Sequence, residues 1–394
     1  MLCKICYNKS IVKSDVFSNF NNERMIRMKR LIALLLVMLL VLCGCKKAPE
    51  PTVPSTEPST VETTEETEAP TEATQPETTE AVLPYQNPLT GEGLAKPYKG
   101  RITTVVVDNI EECLPQRGIA EADMIYELET EGGITRLLTV FTDPTAADDL
   151  GPVRSDRSFF NNINVSYNGT IFHCGGSVAG LNGCYDDSGV RINNWSHVDV
   201  GHYERSHCYR DQARIAAGYH SWDVLFTYGE KVADMLKKTG KDTVGTEETD
   251  FGLTFDEDVK LKGDKAEKIT VKFRWWKTTT MTYDKKTGLY MASQYDDPHI
   301  DENTGETLSY KNVFVLYVDQ WGVDDGTYVR SYYDLVGSGK GHFATGGKIV
   351  PIQWHREDLY GPFSYTLEDG TPLTLGVGTS YFGIVHHSRT VVYE

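Results

Sequence analysis

The chain has 394 residues, 40% of them hydrophobic, which is enough for a sizeable buried core. Its net charge of -17 at pH 7 argues against general binding to nucleic acid and against attraction to an anionic membrane surface. An anionic ligand would need a local basic pocket.

Residues 1–24 precede Met25 and Met28 and read as a non-native upstream extension. Their Cys3-x2-Cys6 pair has no second half, so no metal is assigned to it. Residues 25–45 read as a lipoprotein signal peptide: basic Arg27, Lys29 and Arg30, an apolar run over 31–42, then Leu42-Cys43-Gly44-Cys45. The run is short for a permanent membrane span. Its ending has the form of a bacterial lipobox, in which Cys45 is acylated, palmitate being a typical chain, and becomes the mature N-terminus. The expected location is therefore the extracytoplasmic face of the cell membrane, with the lipid in the outer leaflet. Residues 46–84 are Thr, Glu and Pro with few large apolar side chains, the composition of a disordered stalk.

The expected fold class is α+β: a mixed α/β domain over 85–245, then a smaller, mostly β domain over 251–394. In the first, RITTVVVDN (101–109) predicts a strand and ADMIYELETEGGITRLLTVFTD (122–143) two strands joined near Gly132-Gly133. A helix can start after Ser155, TIFHCGGS (170–177) is a short strand running into glycines, and 211–240 holds helical stretches stopped by Gly240. From 251 onward short strands alternate with Gly, Asp, Asn and Pro turns. Cys174 and Cys184 flank the loop CGGSVAGLNGC and are the candidate disulfide, with free thiols as the alternative.

Taken together, NPLTGEGL (87–94), VDN (107–109), ADMIYELETEGGITR (122–136), GPVRSDR (151–157), FHCGGS (172–177) and ERSHCY (204–209) resemble the YerB-like lipoproteins. The second half adds YDDPHIDENTGETLSYKNVFVLY (295–317), GSGKGHFATGGKIVPIQWHR (337–356) and GVGTSYFGIV (376–385). That family is built on N- and C-terminal domains of unknown function. The resemblance covers nearly all of the chain beyond the stalk. It implies an extracytoplasmic lipoprotein of a Gram-positive-type bacterium and supplies no established reaction. His207 fits the family string in SHCY and Cys208 does not, so no family-wide chemistry is placed on Cys208.

The candidate ligand-binding residues are Glu127, Glu131, Arg136, Arg154, Arg157, His173, Ser177, Arg205 and His207. Arginine forks suit carboxylate or phosphate, and Gly132-Gly133 would let backbone approach a ligand. The same arginines can instead pair internally with Glu127 and Glu131. His197, His202 and His207 recur every five residues, a spacing that shares neither a helix face nor a strand face, so no metal or other cofactor is expected. The loop DDPHIDENTG (296–305) departs from a calcium hand, and Trp275, Trp276, Trp321 and Trp354 could stack on sugars. The expected role is cell-envelope binding or scaffolding, with a wall glycan or an envelope protein as partner. The alternative is an enzyme acting on peptidoglycan or a related wall polymer through His173, Glu131 or His207.

Overall fold

The computed structural model describes residues 83–181, 196–202, 206–241, 250–324, 326 and 328–394. The signal peptide, Cys45, residues 46–82 of the stalk, Cys184 and Arg205 lie outside them.

Three apolar, β-branched runs form the first strands: β1 (Thr103–Asp108), β2 (Met124–Glu129) and β3 (Thr135–Phe141). All three are buried at every position, so both of their faces are covered. They are followed by helix α1 (Ser158–Ser166), strands β4 (Thr170–His173) and β5 (Ser196–Asp199), and helix α2 (Gly229–Lys238). Gly240, in the left-handed region at φ 63°, follows the end of α2.

The second half contributes β6 (Lys268–Lys272), β7 (Thr278–Asp284), β8 (Leu289–Gln294), β9 (Asn312–Val318), β10 (Gln320–Asp324), β11 (Val329–Tyr333), β12 (Gly337–Thr345), β13 (Lys348–Arg356) and β14 (Ser380–His386). One mixed sheet runs β13-β12-β9-β14-β2-β3-β1-β4-β5. The halves join where β14 pairs in parallel with β2, Ser380 opposite Met124 and Ile384 opposite Leu128.

The expected α+β class is wrong: the fold is mostly β. Helix is confined to α1, α2 and shorter pieces, while strands fill several sheets. The physical reason is what covers the central strands. On one face Val105, Val107, Ile125 and Leu137 pack against Ile269, Val271, Met281 and Tyr290 of a second sheet built on β6–β8. On the other, Val106, Tyr126, Leu128 and Leu138 meet Phe159, Phe160 and Ile163 of α1 together with Phe314, Phe343 and Phe382. A strand buried on both faces reads the same whether helices or another sheet cover it.

Candidate functional site

Strands β2 and β3 are joined by Thr130-Glu131-Gly132-Gly133-Ile134. Thr130 N donates to Ile134 O at 2.7 Å, and both glycines have positive φ, 70° and 79°. A Cβ on Gly133 would come within 2.9 Å of Arg274 Nε, so that position must stay bare for the arginine to lie across it. The hairpin β10–β11 packs on this turn: Tyr333 Oη donates to Glu129 O at 2.7 Å. Between turn and hairpin lies an open cleft of about 430 Å³, lined among others by Glu129, Glu131, Arg274, Trp321, His386 and Arg389. Trp321 is 39% exposed and stacks on Tyr332, which fixes the indole as part of the wall.

The acids of the cleft are paired. Burial alone would raise the Glu131 carboxyl, but Arg157 and then Arg330 hold it down at about 2. Arg157 makes a two-pronged contact, Nε to Oε1 at 2.6 Å and Nη2 to Oε2 at 2.7 Å, and Arg330 Nη1 reaches Oε1 at 2.7 Å. Glu129 binds Arg274 Nη2, yet burial keeps its carboxyl above the ordinary range.

The structure divides the predicted cluster. Glu131 reaches the cleft, with Arg157 bound to it. Arg154 turns to another buried group, its Nε 2.6 Å from Asp108 and its Nη2 3.6 Å from Asp223. Burial and the adjacent Asp108 raise the Asp223 carboxyl to about 6. Arg136 donates to Ser155 O at 2.7 Å, and burial with Arg157 nearby lowers its guanidinium to about 9. Glu127 points into the core between the two sheets. His173 ends β4, with Nδ1 2.8 Å from Gly175 O and Nε2 3.0 Å from His197 Nδ1. Burial lowers both imidazoles, and the His173 neighbour helps take His197 to about 4. Ser177 Oγ accepts from Gly180 N at 3.1 Å, and His207 sits between Ser206 and Lys238 at 2.9 and 2.8 Å. Cys174 carries an unbridged thiol.

Sequence reasoning named Glu131 and Trp321 but gave no sign that they share a cleft. It missed Glu129, Arg274, His386 and Arg389, which come from three separate strings and meet only in the folded chain. Among the described residues, Asp319, His386 and His387 bring potential ligand atoms within 4.8 Å of one another and could hold a metal ion. Among the same residues no helix is long and apolar enough to cross a membrane.

Two family models match the chain. Residues 89–242 match the N-terminal domain of a protein of unknown function (DUF3048), and residues 269–382 match its C-terminal domain. A Bacillus subtilis (strain 168) protein named "Putative lipoprotein YerB" is 26% identical over 303 residues, covering 76% of this chain and 85% of its own. The crystal structure of YerB protein from Bacillus subtilis matches with a TM-score of 0.65 at 23% identity, covering 78% of this chain and 99% of that one, a likeness of fold.

Proposed function

The chain belongs to the DUF3048 family, with both family domains present, and from that membership we propose a membrane-anchored extracytoplasmic lipoprotein that binds a cell-envelope ligand. The anchor is the acylated Cys45, in keeping with the name of the Bacillus subtilis relative. The ligand site is the cleft over Gly132-Gly133, and the ligand is a wall glycan carrying a peptide stem.

One observation carries this reading. The cleft sets a partly exposed indole, Trp321, beside carboxylates and arginines of both halves. An indole face stacks on the apolar face of a sugar ring, and paired acids and bases hydrogen-bond its hydroxyls and a peptide backbone. Paired charges also suit a ligand with little net charge, since Glu131 already occupies Arg157 and Arg330.

The test is a thermal-shift series on the purified protein with soluble peptidoglycan fragments. The reading expects a saturable rise in melting temperature that Trp321→Ala and Arg389→Ala lose while still folding cooperatively. A rise of equal size in both variants would move the ligand out of this cleft.

A further inference from the structure

Between the two packed sheets lies a polar group that the cleft does not use. Glu127 Oε1 is shared by two nitrogens, Lys277 Nζ at 2.9 Å and Asn109 Nδ2 at 2.9 Å. The oxygen of the Asn109 carboxamide accepts from Gln116 Nε2 at 2.9 Å and from Gln294 Nε2 at 2.8 Å. Glu127, Lys277, Asn109, Gln116 and Gln294 are all buried. Phe273 and Tyr295 place ring faces 5.9 and 4.9 Å from Nζ.

These contacts assemble the parts of an acyl-transfer site. An amine is the nucleophile. One carboxylate oxygen touches both the attacking nitrogen and the nitrogen that would leave. Two N–H donors point at the oxygen on which negative charge would develop. We propose that Lys277 and Asn109 become joined by an intramolecular isopeptide bond, formed by the folded chain itself with Glu127 as the acid–base group.

The chemistry balances without an oxidant, a metal or a second substrate. The Lys277 ammonium passes a proton to Glu127 Oε1. The freed amine attacks Asn109 Cγ, forming the Nζ–Cγ bond, while the carbonyl electron pair moves onto Oδ1 between the two glutamine donors. Glu127 protonates Nδ2, the Cγ–Nδ2 bond breaks as the pair on Oδ1 returns, and the new amide nitrogen gives its extra proton back through Glu127. Glu127 passes that proton to the departing ammonia, which leaves as ammonium, so Glu127 ends as a carboxylate. Burial lowers the Lys277 ammonium and so disfavours its charged form, while Lys277 and Tyr381 keep Glu127 ionised and able to accept the proton. The bond would tie the segment after β1 to the segment before β7, and hence one sheet to the other. It would also replace a buried charged amine with a neutral amide.

The test is tandem mass spectrometry of a protease digest of the full-chain protein purified from its host membrane. The expected result is a branched peptide joining Asn109 to Lys277, lighter by one ammonia than its two linear parts together. Glu127→Gln should return both linear peptides from protein that still melts cooperatively. Linear peptides with Asn109 and Lys277 intact in the folded wild-type chain would overturn the proposal, as would a branch from Lys277 to Gln294. The wild-type digest decides alone, so a poorly folding variant does not blunt it.

Discussion

Lys277 and Glu127 come from opposite halves of the chain and meet 2.9 Å apart, with neither side chain more than 1% exposed. Burial pushes the Glu127 carboxyl up, but Lys277 and the Tyr381 hydroxyl, which donates to Oε2 at 2.7 Å, pull it below its ordinary value. Thr135 and Thr279 donate to its two oxygens at 2.7 Å each. The pair thus pins β2, β14 and the segment entering β7 to one another. In an Asn109→Ala background, which cannot form the proposed bond, Lys277→Met would leave the carboxylate buried and uncompensated, and should lower stability by about 3–5 kcal/mol in a urea titration at pH 7. The double variant Glu127→Leu/Lys277→Met should recover part of that loss, because no charge is then stranded. Equal losses in the single and double variants would show that the charge pair is not what matters there.

Arg157 and Glu131 make a second, pH-dependent tie. Glu131 is held at about 2 in the folded chain, below the carboxylate range of an unfolded one. Its contribution is therefore complete above about pH 4.3 and is lost as pH falls toward 2. Arg157→Ala should destabilise by roughly 3 kcal/mol at pH 7. The gap between the melting temperatures of wild type and variant should close as pH drops through that window. A gap that stays constant from pH 7 to pH 2.5 would mean that the arginine acts through packing alone.

Asp156 has the opposite sign. Burial raises its carboxyl to about 8. The folded chain keeps that proton where the unfolded chain has released it, so stability falls as pH rises from about 4 to about 8 and changes no further above. Asp156→Asn removes the titration and keeps a polar group beside Asn161. It should raise the melting temperature at pH 8.5 and make little difference at pH 4. Destabilisation at both pH values would show that the carboxyl's own bonds outweigh its burial.

Cys45→Ser removes the residue that would carry the lipid. Radiolabelled palmitate should enter the wild-type chain and not the variant, and the variant should leave the membrane fraction on cell lysis. Retention of the variant in the membrane would assign anchoring to the apolar run over 31–42 instead.

Several strands were legible because their residues carry a period or a β-branched run. Val105-Val106-Val107 announced β1, and Gly132-Gly133 announced the β2–β3 turn. Gly240 marked the end of α2. The fold class was not legible, because Ile125 and Val107 are buried alike under a helix or under a sheet, and only the packing of the distant β6–β8 sheet on that face decides which. The arginines of GPVRSDR stand out in the sequence as fixed charges beside a turn. Their separation could not be read, since Arg154 finds Asp108 and Asp223 while Arg157, three residues on, finds Glu131. Lys277 offered no signal at all: in WWKTTT it looks like any strand lysine, and its burial depends on Glu127, Thr279 and Gln294 arriving from elsewhere.

The most direct test of the binding account is isothermal titration of the purified protein with a soluble disaccharide–peptide fragment of peptidoglycan, beside the same titration of Trp321→Ala. The account predicts saturable one-site heat for the wild type and at least a tenfold weaker fit for the variant, equivalent to about 1.4 kcal/mol. Identical isotherms for the two proteins, or no heat from the wild type, would contradict it.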